Sequence, residues 1–348
     1  MKAQVLYGIN DLRYIQDYNE PELHPNEVLV KVKACGICGS DVDRVLKNGT
    51  YHFPTIIGHE FSGEVVKAYD QEDKIWIGKR VSVFPLIPCK KCTSCKKGDY
   101  QLCESYNYLG SRCDGGFAEY VAVPAWNLLE IPEDISFEEA AMLEPSSVAL
   151  HALKISGNIL GKNVILTGTG TITSILSQLC VAGGASTICI IGRNQEKLNY
   201  IKERVPQIKT ASILDADFER KLLNENKSGF DIIIEGTGAA NMLALSMRLI
   251  SRKGVIVTMG NPSSDVILSQ KDFWQLLRKE LSIKGTWNSS FGIENRSDWK
   301  NIFELLVNKQ LNLKSLISHR LKLSELMDGI QIMKNKNQIS NKVMVIYE

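Results

Sequence analysis

The sequence predicts an α/β protein in two parts, one β-rich and loop-rich, the other a doubly wound parallel sheet. Three observations predict it. Residues 1 to about 145 are rich in Gly, Pro and Cys and carry short alternating runs such as Val28-Leu29-Val30-Lys31-Val32, the period-two signature of half-buried strands. From about 146 to 285, apolar runs alternate with helical patterns, which implies parallel strands with helices on both faces. The chain closes on Lys342-Val343-Met344-Val345-Ile346, a strand left over once that sheet is complete and therefore expected to pair with the first part.

In the second part the order read is a strand at 164–167, a Gly turn and a helix to about 182. A strand at 187–191 and a helix at 195–204 follow. Then come a strand at 230–234, a helix near 242–250, a strand at 255–259 and a last strand at 281–285. A helix is expected over 297–308. The domains expected are 1–146 with 287–348, discontinuous, and 147–286 inserted between them; 348 residues suffice for two cores. Residues 163–192 carry no charge and are long enough to span a bilayer. Their many Thr and Ser, and the breaks at Gly168, Gly170 and Gly183-Gly184, favour a buried strand–helix–strand unit instead. The Lys/Asn-rich run 334–342 reads as a solvated loop.

Composition excludes several classes. A 44% hydrophobic and 23% charged chain is ordinary for a globular protein, and a net charge of +2 supplies no field for nucleic acid or a membrane surface. The opening MKAQVLYGINDLRY lacks a long apolar stretch, so no secretory signal is read. Four of the nine cysteines cluster tightly, which in such a chain reads as metal binding before disulfides and sets a reducing cytoplasm as the expectation.

That cluster, Cys89-Lys-Lys-Cys92-Thr-Ser-Cys95 and then Cys103, lies in a lobe at about 86–106. Four thiolates close around one ion tetrahedrally, and zinc suits four sulfurs without redox chemistry; with every position filled by protein the site is structural. An iron–sulfur cluster is the rival. A second group is Cys38, Ser40, Asp41, His59, Glu60 and, much later, Glu144. A catalytic zinc needs about three protein ligands and an open position, here Cys38, His59 and a carboxylate from Glu60 or Glu144. Removing a hydride from a carbinol carbon is easy only from the alkoxide, and zinc lowers the pKa of a bound oxygen. Ser40 can pass the alcohol proton outward. Asp41 reads as an orienting group or a cap rather than a ligand.

The turn Gly168-Thr169-Gly170-Thr171-Ile172-Thr173 sits between a strand and a helix. Gly168 permits the tight bend and Gly170 lets a pyrophosphate approach the helix N-terminus, while Thr173 stands where the fingerprint has a third glycine. After the second strand comes Gly192-Arg193, with no acid for a ribose 2′-hydroxyl. Arg193 can meet a 2′-phosphate, which favours NADP(H) over NAD(H).

With these residues in view the chain resembles the zinc-dependent medium-chain dehydrogenases over essentially its whole length, most of all their sorbitol dehydrogenase branch. The resemblance rests on Cys38-Gly-Ser-Asp41, Gly58-His-Glu-Phe-Ser-Gly63, the four-cysteine lobe, Gly110 to Tyr120, Glu144-Pro145 and Leu277-Arg-Lys-Glu-Leu281. It implies a GroES-like catalytic domain, a Rossmann domain, two zinc ions per chain and a homodimer or homotetramer. It also implies oxidation of a polyol or polyol phosphate to a ketose, with Arg278 near the substrate. Thr173 and Gly192-Arg193 depart from the family's pattern. Lys47, Arg112 and Arg278 are candidates to meet a phosphate. Other secondary alcohols (a diol or a steroid), a zinc-free reductase of the same fold, and a non-catalytic sensor are the alternatives; the complete ligand set and both turn glycines speak against the last two.

Overall fold

The computed structural model describes residues 1–292, 297–335 and 337–348. Its contacts divide the chain into two units. One is Met1–Pro145 with Ser290–Val307 and Leu313–Glu348; the other is Ser146–Ser289 with Asn308–Asn312. The short return at 308–312, which the sequence reading left with the first part, joins the second because Gln178 grips Asn312 at both its carbonyl (3.2 Å) and its N–H (2.8 Å).

The first unit is organised by the eleven-residue strand Glu27–Ile37. Its beginning pairs with Tyr120–Pro124, and Glu60–Ala68 runs antiparallel along it. Its end pairs with the terminal strand Lys342–Ile346, Val343 opposite Ile37. The leftover strand thus closes the first unit, as its sequence position implied. Arg80–Val83 and Leu128–Glu130 continue the sheet on one side and Ile317–Leu321 on the other. Val28, Val30, Val32, Phe61, Val81 and Val343 form a single core, each side chain stabilising the fold by roughly 1.5–3 kcal/mol relative to exposure. Lys342, read as the end of a solvated run, is instead 2% exposed and opens a core strand; its partner, described below, is the reason. Lys336 of that run lies outside the described residues.

In the second unit the strands Lys209–Ser212, Thr187–Gly192, Asn163–Thr167, Phe230–Glu235, Ile250–Thr258 and Ser282–Gly285 lie side by side in that spatial order. All are parallel. This is the Rossmann order 3-2-1-4-5-6, which reverses beside the first strand. The charge-free stretch is the buried strand–helix–strand expected: Asn163–Thr167, Thr171–Ala182, Thr187–Gly192. Among the described residues no helix is long and apolar enough to cross a membrane. The fifth strand starts at Ile250 rather than 255. Lys209–Ser212 and the helix Phe218–Glu225 were not read from sequence, since Lys-Thr-Ala-Ser lacks the apolar run of a central strand and lies at the sheet edge.

Candidate active site and metal centres

Register in the first unit brings the catalytic candidates together. Gly36 stands opposite Glu60 and Cys35 opposite Phe61, so Cys38, just past one strand, meets His59 and Glu60 at the start of the other. Gly58, at φ +99°, makes the bend before His59; a side chain there would collide with the Phe117 ring at 2.7 Å. Cys38 also caps the short helix Gly39–Asp43, its N–H donating to Asp41 at 3.0 Å. One ligand atom from each of Cys38, His59 and Glu60 lies within 4.8 Å of the others. The buried Glu144 stands beside this group and accepts from the Tyr108 hydroxyl at 3.3 Å.

Asp41 orients the histidine: its Oδ1 is 3.3 Å from His59 Nδ1, which leaves Nε2 for a metal. Burial would raise the Asp41 pKa, but His59, Arg44 and the Cys38 N–H hold it down to about 2. Burial works against a charged His59, yet Asp41 and Cys38 carry its pKa well above the ordinary value. Burial pushes Glu144 up to about 7; His59 opposes the rise and Glu60 adds to it. Lys342 donates to the Ile37 carbonyl at 3.2 Å and pairs with Glu60. Its pKa is raised, because Glu60 and Cys38 outweigh the lowering by burial.

The donor set fits a divalent ion. The buried Lys342 and the half-buried Arg44 face Cys38, Asp41, Glu60 and Glu144; with His59 neutral and all four acids ionised, two further positive charges would bring the group to neutrality. A thiol, an imidazole and carboxyls sharing one pocket are zinc's preferred ligands.

The four-cysteine lobe is based on the antiparallel pair Leu86–Ile87 and Asn107–Tyr108. Lys90 takes a left-handed φ of 57°, turning the chain between Cys89 and Cys92. No disulfide forms. Cys89 Sγ lies 3.9 Å from Cys95 Sγ and Cys92 Sγ 4.0 Å from Cys103 Sγ. Tetrahedral sulfurs at about 2.3 Å from zinc stand roughly 3.8 Å apart, so the spacing fits. The backbone N–H groups of Lys91 and Cys92 point at Cys89 and lower its pKa to about 6, whereas burial raises Cys95 to about 12. Cys89 therefore favours the thiolate, whereas Cys95 needs a cation beside it to ionise.

In the second unit Gly168 bends at φ +99° and its N–H donates to Ile191. Gly170 caps the helix Thr171–Ala182, with Thr171 and Ile172 in its first turn. Thr173, in place of a third glycine, is buried and its hydroxyl donates to the Thr167 carbonyl at 3.3 Å. Gly192 sits so close to Leu198 that a Cβ would be 3.2 Å from it. Arg193 is exposed beyond it, and Asn194 caps the helix Gln195–Arg204. Arg278 ends the helix Gln270–Arg278, exposed and stacked 4.4 Å over Trp274. Of the other phosphate candidates, Lys47 is paired with Asp43, and Arg112 lies between the Tyr51 and Tyr106 rings at 4.2 and 4.4 Å.

Sequence reasoning missed four residues: Arg44, Tyr108, Lys342 and Glu235. Glu235 is buried at the end of the fourth strand, where it accepts from Thr237 and Gly238 and shapes the loop next to Gly168. A lone Lys opening an apolar strand was the signal for Lys342. Arg44 stands three and four residues beyond Asp41 and Ser40 on one helix face; Tyr108 and Glu235 carry no local pattern.

Residues 24–133 match the alcohol dehydrogenase GroES-like domain and 171–308 the zinc-binding dehydrogenase domain. The fold and these matches define a class, and the chain belongs to the zinc-dependent medium-chain dehydrogenases, NAD(P)-dependent alcohol dehydrogenases of GroES-like plus Rossmann architecture. Within that class it is 34% identical over 328 residues to galactitol 1-phosphate 5-dehydrogenase of Escherichia coli K12, covering 94% of each chain. The crystal structure of galactitol-1-phosphate dehydrogenase from Escherichia coli superposes with a TM-score of 0.90, at 32% identity over all of both chains. A zinc-binding dehydrogenase of Sinorhizobium meliloti 1021, bound to NADP, gives 0.89 at 30% identity over 99% of each. An Escherichia coli CFT073 protein described as a short chain alcohol dehydrogenase, complexed with NADH, gives 0.91 at 26% over 100% and 99%.

Proposed function

We propose that this dehydrogenase oxidises a secondary alcohol of a polyol or polyol phosphate to the ketose, reversibly, passing the hydride to NADP in preference to NAD. The carrying observation is the convergence of Cys38, His59 and Glu60 within 4.8 Å beside a buried Glu144. These residues would hold a catalytic zinc, with the carboxylate coming from Glu60 or Glu144; Cys89, Cys92, Cys95 and Cys103 would hold a second, structural one. When bound, the catalytic ion supplies Lewis acidity to the alcohol oxygen.

The chain's own groups do the rest. Asp41 fixes the His59 tautomer, and Ser40 takes the alcohol proton at Oγ. Tyr108 keeps the Glu144 carboxyl turned to its hydroxyl. Gly168, Gly170, Thr171 and Ile172 receive the pyrophosphate at the helix N-terminus, and Gly192 and Arg193 receive the ribose with its 2′-phosphate. The family resemblance sets Arg278 near the substrate. This arginine has no ion-pair partner among the described residues, so a phosphate meets it without first breaking a bond. The likeness to galactitol 1-phosphate 5-dehydrogenase supports a phosphorylated hexitol as the first substrate to try.

The protein works as a homodimer or homotetramer in a reducing cytoplasm, in keeping with nine unpaired cysteines. A dimer through the outermost strand Ser282–Gly285 fits best. All four of its residues are exposed, and Phe273 and Leu277 lie exposed on the neighbouring helix. An open edge beside apolar side chains is a template for a second copy.

The test is turnover of sorbitol, galactitol 1-phosphate and butanediol with each nicotinamide. Polyols should be preferred and NADP should exceed NAD; butanediol as the best substrate would overturn the reading. Cys38→Ser should abolish turnover and leave the four-cysteine ion in place; retained activity would remove the metal assignment.

A further inference from the structure

The guanidinium of Arg44 rests on Ser40. Arg44 lies one turn beyond Ser40, where the helix Gly39–Asp43 passes into a wider turn at Arg44–Asn48, and residues four apart share a helix face. Its Nη1 donates to Ser40 Oγ at 3.0 Å and to Asp41 Oδ1 at 2.8 Å, and stands 3.5 Å from His59 Nδ1. The side chain is 20% exposed. The neighbouring acid that could draw it away, Asp43, is already taken by Lys47 at 2.9 Å.

We infer that Arg44 is a positioning residue for the reaction, holding the Ser40 hydroxyl so that its own proton and its one free lone pair face the substrate oxygen. The inference rests on the proposed role of Ser40. A hydroxyl has one proton and two lone pairs, whereas a guanidinium only donates and stays charged at any working pH. Arg44 therefore fills one lone pair of Ser40 and cannot accept its proton. Among the described residues no protein acceptor for that proton is found. What remains of Ser40 is one donor and one acceptor, the two functions needed to take a proton from an alcohol and give one up. A charge-assisted bond also holds the oxygen more firmly than a neutral donor would, and Asp41 pins the guanidinium from the other side.

A double-mutant cycle tests this, with Ser40→Ala, Arg44→Met and both together, assayed on sorbitol and galactitol 1-phosphate. Zinc content and melting are measured alongside. If Arg44 acts through Ser40, R44M lowers kcat at least tenfold and leaves the nicotinamide KM within twofold. Zinc content is then kept, Arg44→Lys recovers part of the loss, and the double variant is no slower than S40A alone. Losses that multiply in the double variant, a kcat within threefold of the wild type, or a fall that only tracks lost zinc overturn the inference. Should R44M fail to fold, R44K takes its place in the same cycle. An S40A variant of normal kcat would instead remove the reading of Ser40, and the inference with it, a result distinct from multiplicative losses.

Discussion

The ammonium of Lys342 meets the carboxylate of Glu60 inside the first unit, across 282 residues of sequence, with both side chains 2% exposed. Removing one member of such a pair strands a buried charge. Lys342→Met is therefore expected to cost the zinc-free protein about 3–5 kcal/mol. With zinc present the loss should shrink, because the ion meets the charge that Lys342 no longer does. Urea unfolding with and without a chelator measures both. An equal loss in the two states would mean that Glu60 does not share its charge with the metal pocket.

This pair also marks where the sequence stops being legible. Cys38, His59 and Glu60 could be read because their types and spacing are rare outside metal sites. The strand–turn–helix around Gly168 could be read because glycine at a bend has few other uses. Lys342 looked like one more solvated lysine in a Lys/Asn run, since only the sheet register places it against Glu60. Tyr108 has no period or motif, and tertiary contact alone gives it Glu144; Arg44 meets Ser40 and Asp41 at helix spacings of four and three, a pattern that only the helix at Gly39–Asp43 makes visible. The strand Lys209–Ser212 was missed because an edge strand need not be apolar.

The lobe predicts a separable metal. Cys95 is one of the two buried members of the four, pushed up to about 12 by burial, so its serine variant leaves three thiols and no fourth sulfur for the ion. If the proposed two zinc sites are both filled, Cys95→Ser should lose one ion and lower the melting temperature by roughly 5–10 °C. Because the lobe sulfurs belong to a different group from Cys38, kcat per folded chain should change little. Full metal content with unchanged melting would refute the structural role.

The proposed preference for NADP rests on the exposed end of the second parallel strand. Arg193 is exposed and can form charge-assisted bonds to a 2′-phosphate, while Gly192 packs closely against Thr169 and Leu198. Arg193→Asp replaces an attraction with a repulsion, so KM for NADPH should rise about 10–100-fold. KM for NADH should move much less, or fall if the new carboxylate accepts from the 2′-hydroxyl. Equal effects on the two nicotinamides would show that Arg193 does not touch the ribose.

The open edge of the second unit predicts the assembly. Among the described residues Ser282–Gly285 pairs on one side only, with Ile250–Thr258, so its outward N–H and C=O groups are available to another strand. A twofold axis beside it would set the same strand of a second copy antiparallel, extending the sheet without a new fold. Phe273, Trp274 and Leu277 would then lose water contact with it; they are 46%, 45% and 61% exposed. Charge at this edge blocks pairing, so Leu277→Asp with Ile283→Lys should convert a dimer into single chains of 38.9 kDa. Light scattering behind a sizing column reads the mass, and circular dichroism checks that the fold is kept. A wild-type protein already at the single-chain mass, or a variant that still assembles, would place the interface elsewhere or remove it.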